Sequence, residues 1–243
     1  MPRKGKNQSL KAVLELRDLV LNGKLEAGKR LYEVSICEQI GMSRTPVREA
    51  LNNLEHEGLL ERLPSGGFMV RTFSFDDVID GIELRGVLEG TAARLAAERG
   101  GDATMLRQMH DIVAGLDQIV STGAETLDFI AYADLNRDFH LCLSALSGSD
   151  TTRREIDRTT RLPMASPSAF LNVESGGLVF RESLIGAQEQ HRNILEAIEL
   201  REGARAESIA REHARLARKN LEYVMTHGRS LMKKVPGLSL VAG

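Results

Sequence analysis

Along the chain, apolar and polar residues alternate in two regimes. From Leu10 to Leu54 the apolar positions form short helical stripes broken by glycines. Leu10, Val13, Leu16 and Val20, three or four apart, predict one buried face of a first helix that "NGK" stops. "LEAGKRL" reads as a turn, and Glu33 to Ile40 as a second helix closed by Gly41, which needs no Cβ in a left-handed cap. Ser43 is placed to cap a third helix, with Pro46 in its first turn, where a missing N–H costs little. Val47, Ala50, Leu51 and Leu54 then follow the i, i+3, i+4, i+7 pattern of a core face, while Arg44, Thr45, Arg48 and Asn52 project from the other side. After Gly58, Leu60 to Leu63 and Phe68 to Arg71 read as two short strands joined by "PSGG".

From Ser74 the pattern is of longer helices only. Ser74, with Asp76 and Asp77 in the first turn, opens a helix that runs to about Arg99 and stops at Gly100 and Gly101. Further helices are predicted at 103–121, 125–146, 151–162, 179–201 and 203–227. The stretch from Leu162 to Gly177, rich in Pro, Ser and Gly, reads as a long loop, either a cover for a cavity or a surface excursion. The fold class is therefore mostly α. A helix-turn-helix with a β-hairpin wing occupies 1–72, a short linker 73–78, an all-α six-helix bundle 75–228, and a flexible tail 229–243.

Composition narrows the class. A chain of 243 residues with 42% hydrophobic content can build two domains, and the lack of tryptophan with 4% aromatics suits a helical protein. No cleavable leader and no apolar run of membrane-span length is evident, so a cytoplasmic protein with no membrane partner is expected. Cys37 and Cys142 lie far apart and read as ordinary apolar packing. The net charge of −2 conceals an asymmetry: residues 1–72 hold 12 Lys and Arg against 9 Asp and Glu. The basic end is the candidate for a polyanion.

The third helix supplies the chemistry for one. An α-helix fits the major groove of duplex DNA, and arginine can bond bidentately to guanine. The glycine-tipped hairpin lets backbone approach a phosphate or the neighbouring minor groove. "LVLNGKLEAGKRL", "CEQIGMSRTPVREALNNLEHEGLLER" and "SGGFMV" together resemble the winged helix-turn-helix of GntR-type bacterial transcription regulators. That resemblance implies base-reading roles for Arg44, Thr45 and Arg48, a phosphate-side role for Ser43, and a wing tip at Gly66 and Gly67. Two departures stand out: Tyr32 and Glu33 replace the usual Ser or Thr cap, and Val34 stands where several members carry arginine.

Three of the six histidines fall on apolar stripes. His140 shares one with Phe129, Tyr132, Asn136 and Leu143; His191 lies among Leu184, Ala187, Ile194 and Ile198; His213 lies among Ala206, Ile209, Leu216 and Val224. His56, His110 and His227 lie on polar or boundary faces. A lone inward histidine is usually a satisfied core residue, but three in one core are hard to satisfy by hydrogen bonds. A divalent metal satisfies all three, and three imidazoles plus an oxygen suit Zn²⁺ or Ni²⁺. Arg85 and Glu89 also face inward, either as a plain pair four apart or with Arg85 gripping a carboxylate.

"ELRGVLEGTAARLAAERG", "DLNRDFHLCL" and "EQHRNILEAIELREGARAESIAREH" resemble the FCD ligand-binding domain of the FadR subfamily, in its six-helix, VanR-like branch. The ligands so implied are His140, His191 and His213 with Asn136, where most metal-binding members have aspartate. Asp134 and Asp138 point away from that face. Arg85, Tyr132, Asn193 and Asn220 are the candidates for contacts to a small carboxylate effector. The expected protein is a homodimeric, metabolite-responsive repressor reading a near-palindromic operator in double-stranded DNA, with no catalytic residue. Two alternatives remain at this point: a metal-dependent hydrolase, and a metal-sensing regulator without an organic effector.

Overall fold

The computed structural model describes residues 3–122, 127–163, 165–167, 169, 177–227 and 237–241, with side chains from residue 8 in the first helix, from 182 in the eighth, and to 226 in the ninth. Two compact units emerge. One comprises residues 1–78, 161–163 and 236–243; the other comprises 79–160 and 164–235.

The first unit holds α1 (Arg3–Leu21), β1 (Arg30–Leu31), α2 (Glu33–Ile40), α3 (Arg44–His56), β2 (Leu60–Arg62) and β3 (Phe68–Val70). Val13, Leu16 and Val20 of α1 pack with Val47, Ala50, Leu51 and Leu54 of α3, all buried. Leu10 departs from the predicted face and is 56% exposed, whereas Ala12 is buried. Gly41 ends α2 at φ 64°, in the left-handed region that favours glycine. Ser43 sits at the N-cap position of α3, yet its side chain makes no capping hydrogen bond, contrary to the sequence expectation.

The segment read as a plain turn contains a strand. β1 pairs antiparallel with β3, giving a three-stranded sheet in the order β1-β3-β2. Part of the tail is also ordered: Leu238–Leu240 forms a 3₁₀ turn whose leucines are buried, and Gly237 N–H donates to the Leu21 carbonyl. Residues 237–241 therefore depart from the frayed tail expected over 229–243, while 228–236 and 242–243 lie outside the described residues.

The second unit is helical. Its helices are α4 (Phe75–Arg99, entering from the first unit), α5 (Ala103–Ser121), α6 (Phe129–Leu146), α7 (Asp150–Thr159), α8 (Gly177–Glu199) and α9 (Gly203–His227). Ser74 and Asp77 close the start of α4 reciprocally: Ser74 N–H donates to Asp77 Oδ2 (2.8 Å) and Asp77 N–H to Ser74 Oγ (3.1 Å). α6 begins at Phe129 rather than 125, because Asp128 caps it by accepting from the N–H groups of Ile130 and Ala131. α7 ends at Thr159, three residues earlier than the pattern suggests. Met109, Leu116, Phe139, Leu143, Ile194 and Ile198 fill the centre of the bundle. Of the proposed cover at 162–177, residues 164, 168 and 170–176 lie outside the described residues.

α4 and α9 touch through glycine. A Cβ at Gly90 would meet the Glu207 carbonyl at 3.0 Å and Arg211 Cγ at 2.8 Å, whereas one at Gly186 in α8 would meet nothing within 4 Å. Gly→Ala in an open helix interior stabilises by about 0.5–1 kcal/mol. We expect that sign for Gly186→Ala and the reverse for Gly90→Ala, where backbone must give way at about 1–3 kcal/mol. Paired thermal or urea denaturation curves check it: equal shifts for both variants would mean that α9 does not constrain α4.

Candidate functional site

The three inward histidines converge. His140 comes from α6, His191 from α8 and His213 from α9, at 6%, 0% and 7% exposure. Their Nε2 atoms face one another, His191 to His213 at 3.1 Å and His213 to His140 at 3.3 Å. The Phe139 ring lies 4.0 Å, centroid to centroid, from that of His191 and excludes solvent on that side.

What holds each ring decides its tautomer. Gln188, fully buried, donates from Nε2 to the Val113 carbonyl (3.0 Å) and to Asp117 Oδ1 (2.6 Å), so its oxygen must face His191 Nδ1, at 3.1 Å. Nδ1 of His191 therefore carries the proton, leaving a lone pair on Nε2. Asp117 is itself held by Arg192, whose Nε donates to it at 2.8 Å. His213 Nδ1 stands 3.2 Å from Gln190 Oε1, and His140 Nδ1 stands 2.9 Å from Glu89 Oε1. Burial opposes the charge on Glu89, but His140 and Arg85 outweigh it and hold the carboxyl at about 2, so it too can only accept.

The three Nε2 atoms thus face one small volume, and that of His191 presents a lone pair to it. A single added proton would satisfy one pair of rings only, and the site resists it. Burial, reinforced by the neighbouring imidazoles, lowers His213 to about 3 and His191 well below its ordinary value. A metal ion would resolve the arrangement, since neutral imidazoles with Nδ1 hydrogen-bonded and Nε2 free are the form that ligates. Among the described residues these three histidines form a group able to hold one.

The same shifts fix a pH dependence. The folded values lie below the unfolded value near 6.5, so the unfolded chain binds more protons between 6.5 and about 3, and stability is present above that window and lost on descending through it. Metal-free protein should lose up to about 1.4 kcal/mol per pH unit for each of the two imidazoles below pH 6.5. Melting temperatures of chelator-treated protein between pH 8 and 5 measure this, and a flat profile would contradict neutral, buried rings.

Beside the histidines lies a cavity of about 40 Å³, lined by Arg85, Tyr132, Asn136, His213 and Asn220 among others. Arg85 is 2% exposed and its Nε stands 3.7 Å from Glu89 Oε2; its Nη1 and the Tyr132 hydroxyl have no hydrogen-bond partner. Asn136 is 3% exposed. Asn193 does not line this cavity, being two residues, about 200° of helix, away from His191. Asp134 and Asp138 are exposed and bind Arg137. His110 is exposed beside Glu199, and the side chain of His227 lies outside the described residues.

In the first unit, Ser43, Arg44, Thr45 and Arg48 are exposed on α3, and Gly66 and Gly67 form the hairpin tip at φ 83° and 87°. Arg48 is held side-on by Glu33, with Nε at 3.2 Å and Nη2 at 3.0–3.1 Å from the carboxylate oxygens. Asn52 accepts from Arg62 Nη2 at 2.7 Å, and Arg62 in turn stacks 4.7 Å from the Phe68 ring centroid. Arg30 Nη2 donates to the Gly66 carbonyl (2.8 Å) and pins the tip. These supporting contacts by Glu33, Arg62 and Arg30 were not singled out from sequence.

Residues 8–70 match the family of "Bacterial regulatory proteins, gntR family", and residues 80–216 match the FCD domain. The Glc operon transcriptional activator of Escherichia coli K12 is 26% identical over 241 residues, covering 91% of this chain and 92% of its own. An HTH-type transcriptional regulator in an unstable DNA locus of Streptomyces ambofaciens is 29% identical over 229 residues, covering 90% and 86%. Among solved structures, McbR/YncC of E. coli superposes with a TM-score of 0.61 at 23% identity, covering 90% of this chain and 97% of that one, which speaks to the fold alone. No helix among the described residues is long and apolar enough to cross a membrane.

Proposed function

Because the chain belongs to the GntR family of bacterial regulatory proteins and carries an FCD domain, a family of transcription regulators and not enzymes, we propose that it is a metabolite-responsive repressor whose helical domain binds a divalent metal and a small carboxylate. The observation that carries the metal is the set of Nε2 atoms at 3.1 and 3.3 Å, with glutamine oxygens at Nδ1 of His191 and His213 and the Glu89 carboxylate 2.9 Å from Nδ1 of His140. His140, His191 and His213 would hold Zn²⁺ or Ni²⁺, with Asn136 offering a neutral amide oxygen. When bound, the ion supplies a fixed positive charge and open positions for an anion.

The carboxylate is supported by Arg85 and Tyr132, whose unpartnered N–H and O–H groups are buried at the 40 Å³ cavity. Leaving such groups unsatisfied costs about 1–3 kcal/mol each, which an entering carboxylate recovers. Asn220 completes that lining. Arg44, Thr45 and Arg48 would read base edges, with Ser43, Gly66 and Gly67 at the backbone, in a homodimer that meets successive grooves of a near-palindromic operator. For repression to respond to the acid, the acid must bind the DNA-competent and incompetent states unequally. In the hydrolase alternative a general base would be required at the metal, and the carboxylate beside the histidines, Glu89, is already engaged by Arg85 and His140.

Elemental analysis of untagged protein purified without chelator tests the reading, with about one Zn²⁺ or Ni²⁺ per chain expected. No metal, and no uptake on titration, removes it. Thermal-shift screening of mono-, di- and tricarboxylates with and without metal then tests the acid.

A further inference from the structure

Residues 237–241 belong to the first unit, although they come last in sequence. Leu238, Leu240 and Val241 are buried there, while Ser239 between them is exposed. Backbone hydrogen bonds fasten the segment near both ends: Gly237 N–H donates to the Leu21 carbonyl at the end of α1, and the Leu240 carbonyl accepts from Phe73 N–H, each at 2.8 Å. Val241 lies in a parallel bridge with Phe73. Phe73 and residues 237–241 fall outside the stretches that match the two families, 8–70 and 80–216, so neither family pattern calls for this contact.

The contact acts at Phe73. This residue stands in the join between β3 and α4, directly before Ser74, which closes the start of α4 with Asp77. Its ring is 4% exposed and lies 4.8 Å, centroid to Cζ, from the Arg71 guanidinium. Main-chain bonds at the ends with alternate side chains turned inward are the means by which an extended peptide adds to a folded domain. Without the segment, the Phe73 N–H would lose its carbonyl acceptor and the apolar groove would open to water. Gly23 makes room on the other side. It sits at φ 68°, and a Cβ there would meet Ser239, 3.0 Å from Cβ and 3.1 Å from Oγ, with nothing else within 4 Å among the described residues.

We propose that the groove between the end of α1 and Phe73 is a peptide-docking site whose occupant is the chain's own residues 237–241, and that docking latches the join to α4 and thereby tightens DNA binding. With the segment in place, the backbone at Phe73 is fixed before DNA arrives. With the segment displaced, that freedom is surrendered only on binding, and refixing the backbone of one residue is worth about tenfold in affinity.

Three substitutions in the full-length protein test both halves. Leu240→Asp puts a charge into the groove and should undock the segment, whereas Leu240→Met nearly conserves volume and should not. Gly23→Asn acts from the groove side: asparagine tolerates the left-handed backbone, and its side chain takes the space that Ser239 fills. Hydrogen exchange at the Phe73 amide should quicken at least about tenfold in Leu240→Asp and Gly23→Asn and keep the wild-type rate in Leu240→Met. Affinity for duplexes selected by the wild-type protein should fall about tenfold in the first two and hold in the third. Should Leu240→Asp fail to fold, Gly23→Asn decides alone. An unchanged exchange rate at Phe73 in Gly23→Asn overturns the docking site, and quickened exchange with unaltered DNA affinity overturns the latch. The reading of bases by α3, on which the second half rests, fails separately: a wild-type protein that selects no duplex overturns that reading and the latch with it, while the exchange rates still decide the docking.

Discussion

His191→Ala is expected to abolish stoichiometric metal binding, lowering affinity by at least about 100-fold, because one of three nitrogen donors is removed from a site that offers few others. His191 is the ring most tightly specified by its surroundings: Arg192 holds Asp117, Asp117 and the Val113 carbonyl fix the Gln188 amide, and Gln188 fixes the proton on Nδ1. Gln188→Leu should therefore cost about 10–100-fold although Gln188 touches no metal, by freeing the tautomer and stranding two acceptors. Competition against a zinc chelator of known affinity reads both effects. If His191→Ala retained the affinity of the unaltered protein, the three rings would be a packed polar core and nothing more. Comparing the melting temperature of His191→Ala with that of chelator-treated wild type separates loss of the ion from loss of the fold.

Much of this was readable before any coordinates, for a physical reason. Helical periodicity is a local code, and it placed Leu16, Val47, Leu51, Phe139, Ile194 and the three histidines on interior faces, where they are buried. It failed where structure is set by distant partners. Arg30–Leu31 is a strand only because β3 lies beside it, and two residues carry no period. Leu238 and Leu240 are buried by α1, more than 200 residues away in sequence. The partner of each histidine Nδ1 comes from tertiary packing in two cases of three: Glu89 was visible as inward-facing but not as a neighbour of His140, and nothing pairs Gln190 with His213 by spacing. Gln188 did leave a signal, an amide three residues before His191 on the same apolar stripe. Polar residues on such stripes merit the same attention as the histidines.

Arg48→Ala is expected to remove most discrimination among DNA sequences, at about 1–3 kcal/mol for a lost bidentate contact to a base, while salt-sensitive attachment to any duplex persists. The argument rests on which edge of the guanidinium is free. Glu33 engages Nε and Nη2, so Nη1 and the remaining Nη2 hydrogen project beyond the carboxylate from the exposed face of α3. That end-on pair matches the two acceptors of guanine, and the carboxylate fixes its direction before DNA arrives, so less side-chain entropy is lost on binding. Glu33→Ala should then weaken discrimination too, by less than Arg48→Ala, even though it deletes a negative charge from the face that meets phosphate. Sites selected by the wild-type protein from a random duplex pool supply the probe, and competition with unselected duplex at two salt concentrations separates base reading from charge. Improved discrimination in Glu33→Ala would show that the carboxylate competes with DNA for Arg48. Unchanged discrimination in Arg48→Ala would move base reading to Arg44 and Thr45, which project from the preceding turn of the same helix.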